Sequence, residues 1–227
     1  MTNVSCEDYL KANFKIGESV NVGVSMNKLA TYPNIKASSV TQMIQKLDKE
    51  GFVNYRKYMG VHLTDYGRKI AVRTIRKHRL WKAFLHKKLK FRWNEVKDLA
   101  EELEHIGSET IANRLDNYLN YPKQDPMGMP IPDEDGMIKE QIENLTMYDL
   151  EENDRAVISG VLDHSRDFLR HLSNVGLTIG IPFVFKNVVR YDDSVNVLLD
   201  LKEMSLSKQV ASNLTIKKTG STNGYIR

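Results

Sequence analysis

The chain has 227 residues, 41% of them hydrophobic and 27% charged, with a single cysteine and a formal net charge of +4. That balance describes two or three small folded domains rather than a disordered chain. There is no apolar run of about 18 residues to span a membrane, and no basic-then-apolar N-terminus to direct secretion; lone Cys6 excludes a disulfide framework and fits a reducing cytoplasm. The charge is segregated. Residues 1–70 carry +4, residues 71–97 carry +9, residues 98–155 carry −12 and the remainder +3. A basic N-terminal half predicts a polyanion partner, whereas the acidic middle either holds cations or is solvated surface.

In chain order, residues 5–14 predict a helix capped by Ser5, with Glu7 and Asp8 in the first turn, where the helix dipole favours negative charge. Residues 16–24 contain two glycines and read as a connection. Ser25 caps a short helix, residues 26–31, stopped before Tyr32-Pro33. The next pattern is the most legible. Over residues 36–51, Val40, Met43, Ile44 and Leu47 fall at helical spacing and Gly51 gives a stop. The opposite face carries Lys36, Ser38, Ser39, Thr41, Gln42 and Gln45, side chains suited to base edges and phosphates in a major groove. Residues 52–64 alternate like two short strands around a basic-aromatic tip, Arg56-Lys57-Tyr58. Two helices followed by a β-hairpin make a winged helix-turn-helix, the alternative being a small α+β domain that uses the same elements for packing alone.

A long helix is expected from Thr64 to Leu89, with Ile70, Val72, Ile75, Leu80, Phe84 and Leu85 on its apolar side and Arg73, Arg76, Lys77, Arg79 and Lys82 coating the rest. His78 in this run reads, alone, as a surface or core histidine. Asn94 caps a further helix containing Glu101, Glu104 and His105, which helical spacing puts on one face. Two carboxylates and an imidazole suit a borderline-hard divalent cation; an exposed acidic face is the other reading. Residues 108–119 predict one more helix. The helical segments have more apolar face than one small domain needs, which predicts a dimer, and a helix-turn-helix protein reads a palindrome with two copies.

Pro122 to Gly136 is a proline-rich, acidic connection, and polar residues extend it to about Glu152. Beyond it, residues 165–172 read as a helix, residues 176–182 as a tight turn, residues 183–189 and 195–199 as strands, residues 210–216 as leading back to a strand, and residues 217–227 as a tail. Asp163, His164, Asp167 and His171 form either an accessory site or a solvated polar face. The fold expected is mainly α with small β. It comprises a winged helix-turn-helix over residues 1–70, a helical metal-binding and dimerisation domain over 71–140, a linker over 141–154 and a small SH3-like barrel over 155–227.

This order resembles the diphtheria-toxin-repressor family of metal-dependent transcriptional repressors along nearly the whole chain. Five stretches carry the resemblance: residues 7–10, residues 38–47, residues 76–80, Glu101-x-x-Glu104-His105, and residues 126–132 ahead of a C-terminal SH3-like, FeoA-like domain. By position the resemblance assigns Asp8, His78, Glu101, Glu104 and His105 to the metal ligands of the manganese-sensing branch. Asp8 and Glu101 replace the sulfur ligands of iron-sensing relatives, which favours Mn²⁺ over Fe²⁺. The chain also departs from the family: Lys11 stands where the manganese branch has a second first-helix carboxylate, and Lys82 and Lys97 stand at ligand positions of the iron branch's other site. One principal metal per subunit is therefore expected. The family implies a cytoplasmic homodimeric repressor of metal-uptake genes that binds a palindromic double-stranded operator, in which the ion fixes the spacing of the two recognition helices. The competing readings are a winged-helix regulator answering a non-metal ligand and a metal-dependent hydrolase; against the latter stands the lack of a His-Glu-x-x-His pair or a Gly-rich phosphate loop.

Overall fold

The first helix, α1, spans Val4–Gly17 in the computed structural model, which describes residues 4–17, 23–32, 35–106, 108–138 and 145–221. Ser5 therefore lies within α1 instead of capping it. The expected connection over 18–22, Pro33, Gly107, part of the linker (139–144) and the last tail residues (222–227) lie outside the described residues. Helix α2, Met26–Ala30, is capped as expected: the Ser25 hydroxyl accepts a hydrogen bond from the Lys28 amide. One 3-10 turn, Ala37–Ser39, leads into α3, Val40–Lys49, which buries Val40, Ile44 and Leu47. Gly51, at φ +77°, lets the chain reverse after α3 without a Cβ penalty. Strands β1 (Val53–Arg56) and β2 (Gly60–Leu63) pair antiparallel, Val53 opposite Leu63 and Arg56 opposite Gly60. Val24 adds a bridge to Val61. Gly60 allows that approach, since a Cβ there would sit 2.7 Å from the Gly23 backbone. These elements close over one core that includes Leu10, Leu29, Ile44, Leu47, Val61 and Ile75.

Helix α4, Asp65–Lys87, is the longest at 23 residues. Thr64 starts it, its hydroxyl accepting from the Gly67 amide at 3.1 Å. The expected basic coat is corrected here. Arg73 is exposed, but Arg76, Lys77, Arg79 and Lys82 are buried. Arg76 reaches α6 (Glu109–Tyr118), donating to Asn113 and Asp116 at 2.8 and 2.7 Å and to the Pro132 carbonyl at 3.1 Å. Helix α5 spans Val96–Leu103. Asn94 does not cap it: its Oδ1 is buried without a hydrogen-bond partner, while the Glu95 carboxylate accepts from the Arg92 amide. Because α5 ends at Leu103, Glu104 and His105 sit in the turn that follows, with only the Glu104 amide still bonded back to Ala100.

The backbone separates into two compact units, the first formed by Met1–Trp81, Leu99–Pro122 and Ile131–Lys139, the second by Lys82–Asp98, Lys123–Pro130 and Glu140–Arg227. The second contains a five-stranded antiparallel sheet built from β3 (Asp154–Val161), β4 (Pro182–Val188), β5 (Val195–Leu199), β6 (Lys202–Leu206) and β7 (Leu214–Ser221), in the order β6-β5-β4-β3-β7. Helices α7 (Arg166–Asn174) and α8 (Lys208–Ser212) complete the SH3-like domain. Two strands were not expected, β3 and β6, and the presumed tail begins as the end of β7. Part of the proline-rich connection is stitched to β3. The Asp125 carboxylate accepts from the Met127 and Met129 amides at 2.7 and 3.1 Å, and the Val161 amide donates to the Met127 carbonyl at 3.2 Å. Lys82 ion-pairs with the same buried Asp125. Among the described residues, no helix is long and apolar enough to cross a membrane.

Candidate functional site

In the first unit α1, α4 and the end of α5 converge, and all five residues expected as ligands are brought together. Asp8 projects from α1 and His78 from α4; Glu101 lies in the last turn of α5, with Glu104 and His105 just beyond it. They form two overlapping triads, Asp8 with Glu104 and His105, and His78 with Glu101 and Glu104, whose nearest ligating atoms lie within 4.8 Å of one another. His105 faces Asp8 of α1, and Glu104 is shared by the two triads.

The distances are short. His105 Nε2 is 3.1 Å from Asp8 Oδ1 and 3.5 Å from Glu104 Oε1; its Nδ1 is 2.9 Å from Glu7 Oε2. His78 Nδ1 is 2.7 Å from Glu104 Oε2 and 4.0 Å from Glu101 Oε1. Lys11 Nζ donates to Glu101 Oε2 at 3.0 Å and to Glu104 Oε1 at 2.6 Å. Glu7 was not anticipated as part of this site, although its i,i+4 relation to Lys11 put it on the right face of α1.

Burial sets the electrostatics. The Glu104 side chain is fully buried and that of Lys11 is 1% exposed. Desolvation pushes the Glu104 carboxyl up to about 7, partly offset by Lys11, with the Glu101 charge adding to the rise. Hydrogen bonds to Asp8 and Glu7 raise the His105 imidazole to about 9 against the opposing effect of burial. The Tyr32 phenol is held well above its ordinary value, first by burial and then by the charges of Glu101, Glu104 and Asp8.

The donor set fits a divalent cation. Glu104 Oε2 is buried and accepts no hydrogen bond despite lying 2.7 Å from an imidazole nitrogen. A buried carboxylate oxygen without a donor is costly, and oxygen-rich ligation with one imidazole suits hard to borderline ions. Lys11, the lysine expected to complicate a second ion, donates to both Glu101 and Glu104. Lys82, at the other departure, is committed to Asp125, and Lys97 is half-buried on α5. Among the described residues Asp163, His164, Asp167 and His171 form no such triad. Asp163 instead accepts from the Ser165 amide, and His164 Nε2 is 2.9 Å from the Val161 carbonyl.

The expected nucleic-acid residues belong to the same unit. Lys36, Ser38, Thr41, Gln42, Gln45, Arg56 and Lys57 are exposed. Ser39 is half-buried and turned inward, its hydroxyl 3.0 Å from the Tyr9 hydroxyl and donating to the Lys36 carbonyl at 2.9 Å. Tyr58 at the wing tip is 94% exposed, with Lys57 Nζ 5.2 Å over its ring.

Comparison with known proteins identifies related chains. Residues 1–61 match the family model described as "Iron dependent repressor, N-terminal DNA binding domain", residues 64–133 "Iron dependent repressor, metal binding and dimerisation domain", and residues 145–218 "FeoA domain". An uncharacterised HTH-type transcriptional regulator of Methanocaldococcus jannaschii is 37% identical over 49% of this chain and 89% of its own length. The HTH-type transcriptional regulator MntR of Oceanobacillus iheyensis is 34% identical over 55% of this chain and 84% of its own. A solved manganese-dependent transcriptional repressor in complex with manganese aligns with a TM-score of 0.81 at 29% identity, covering 94% of this chain and all of the other. These relatives are transcriptional regulators, not enzymes, and the hydrolase reading falls with them. The chain belongs to the diphtheria-toxin-repressor family of metal-dependent, DNA-binding transcriptional repressors.

Proposed function

We propose that this chain is a manganese-responsive repressor, with Fe²⁺ as the second candidate, acting in the cytoplasm as a homodimer on a palindromic operator of metal-uptake genes. The observation that carries it is the convergence of Asp8, Glu104 and His105 from α1 and from the turn after α5. Asp8 belongs to the winged helix-turn-helix assigned to residues 1–70, whereas the other ligands belong to the helical domain assigned to 71–140. The linker (141–154) and the SH3-like domain (155–227) follow. Asp8, His78, Glu101, Glu104 and His105, with Glu7 beside them, would hold the principal ion; its positive charge would offset the repulsion among carboxylates drawn from separate elements. His78 Nδ1 faces Glu104 Oε2, the buried oxygen that accepts no hydrogen bond, and lies 4.0 Å from Glu101 Oε1. Manganese is favoured because carboxylate oxygens outnumber nitrogens and no sulfur is among the ligands; the manganese named in the solved structure described above supports the same choice.

With the ligands bridged, α1 is fixed against α4 and α5, and the two α3 helices of a dimer are held at a defined separation. Metal then favours DNA binding through its differential affinity for the DNA-competent state, with no change in any base contact. Lys36, Ser38, Thr41, Gln42 and Gln45, with Ser39 positioning the turn, read the groove, while Arg56 and Lys57 engage phosphates. The test is a mobility-shift titration on operator DNA. Specific binding is expected with Mn²⁺ and not with chelator, and Asp8→Ala or Glu104→Ala should remove that difference. Equal specific binding of the unmodified protein in both conditions would overturn the reading.

A further inference from the structure

The two ring nitrogens of His105 meet different partners. Nε2 lies 3.1 Å from Asp8 Oδ1 and 3.5 Å from Glu104 Oε1, the other two members of its triad. Nδ1 lies 2.9 Å from Glu7 Oε2, and Glu7 belongs to neither triad. The His105 and Glu7 side chains are only 12% and 16% exposed, so water has little access to replace the contact between them. An imidazole binds a cation through a nitrogen that carries no proton, and a neutral ring has one such nitrogen. Which nitrogen it is depends on the hydrogen bond that the other one makes. Asp8 and Glu104 are engaged once they hold an ion, whereas the Glu7 carboxylate stays available to accept the ring proton.

We infer that Glu7 is a positioning residue for the metal site: it accepts the Nδ1–H of His105 and fixes the ring so that Nε2 is the metal-binding nitrogen. This rests on the metal-sensing reading above and deepens it. Glu7 and Asp8 are neighbours on α1, about 100° apart around the helix axis, and they reach the same ring at its two nitrogens. Helix α1 thus supplies one ligand and also aims a second, which is carried by the chain beyond α5. Displacing α1 removes the Asp8 oxygen and releases the His105 ring together. Metal affinity is therefore tied to the placement of the first helix of the winged unit more tightly than one carboxylate alone would tie it.

The test reads both the ring and the affinity. Full-length protein with isotope-labelled histidine is loaded with Zn²⁺, a diamagnetic divalent ion. Long-range proton–nitrogen correlation spectra then show which nitrogen of His105 is metal-bound and which carries the proton. Affinity for Mn²⁺ is measured in parallel from the electron paramagnetic resonance of the free ion, and that series decides by itself if Zn²⁺ does not load. The unmodified chain should show metal at Nε2 and a proton on Nδ1. Glu7→Ala should lower Mn²⁺ affinity about 10–100-fold, and Glu7→Gln, whose amide oxygen still accepts from Nδ1, should keep most of it. Glu7→Ala added to His105→Ala should cost little more than His105→Ala alone, because Glu7 acts through that ring. Far-UV circular dichroism checks that the variants are folded. Metal at Nδ1, unchanged affinity in Glu7→Ala, or equal losses in Glu7→Ala and Glu7→Gln, the mark of a direct ligand or of charge alone, would each overturn the inference. Failure of the unmodified chain to bind either ion would instead overturn the metal-sensing reading on which it rests.

Discussion

Gln42 and Gln45 are the side chains on α3 able to pair in bidentate fashion with a base edge, and both are exposed one turn apart. Replacing either with alanine should weaken binding to the best operator by about 1–3 kcal/mol while leaving affinity for unrelated DNA nearly unchanged. Arg56→Ala or Lys57→Ala should behave oppositely, lowering affinity for all sequences and reducing the slope of log K against log salt by about 1. Anisotropy titrations on specific and scrambled duplexes over a salt series separate the two classes. A specific loss in the wing variants with an unchanged slope would contradict their assignment to phosphates. Ser39 belongs to neither class, because its hydroxyl is used to fasten the turn before α3 to Tyr9.

At the scale of elements, the Lys82–Asp125 pair fastens α4 to the chain segment lying on β3. Removing one member of a buried pair strands the other charge. Lys82→Ala should therefore cost about 3–5 kcal/mol, whereas Lys82→Met with Asp125→Asn should recover most of that loss in urea unfolding. In the winged unit Ile44, fully buried in the α3 core, should cost about 2–5 kcal/mol as Ile44→Ala. These elements also show what sequence could and could not reveal. The winged helix was legible because α3 has a clean apolar stripe, Gly51 marks its end and the hairpin alternates. Strand β6 was not legible, since it is a mostly exposed edge strand with charges at Lys202 and Glu203. Strand β3 was hidden behind an acidic lead-in, Glu151-Glu152-Asn153, and interrupted by Gly160. The ligand positions came from resemblance to a family, but their division into two triads depends on contacts with α1 and α4, far away in the chain, which no local pattern announced. The basic side of α4 was misread because a lysine or arginine is solvated by default, and its burial depends on partners such as Asp116 and Asp125 that lie about 40 residues away in the chain.

For the whole molecule, the metal and DNA functions should be linked through one equilibrium. Titration with Mn²⁺ should produce a saturable change in the fluorescence of Trp81 and Trp93, shifted to lower metal concentration when operator DNA is present, because coupling between two ligands is reciprocal. An organic-ligand regulator predicts no saturable response to the metal. The burial of Arg76, Lys77, Arg79 and Lys82 bears on kinetics as well as packing. A formal +9 over residues 71–97 overstates the attraction offered to a passing duplex, since these four cations are withdrawn from solvent and at least two are matched by aspartates. Of the basic side chains in the first 70 residues, Lys28, Lys36, Lys46, Lys49, Arg56, Lys57, Arg68 and Lys69 remain exposed on the winged unit. Arg73, Lys87, Lys88, Lys90 and Arg92 also stay exposed, so the attraction to a polyanion comes from these side chains and those of the winged unit, and not from the four buried ones.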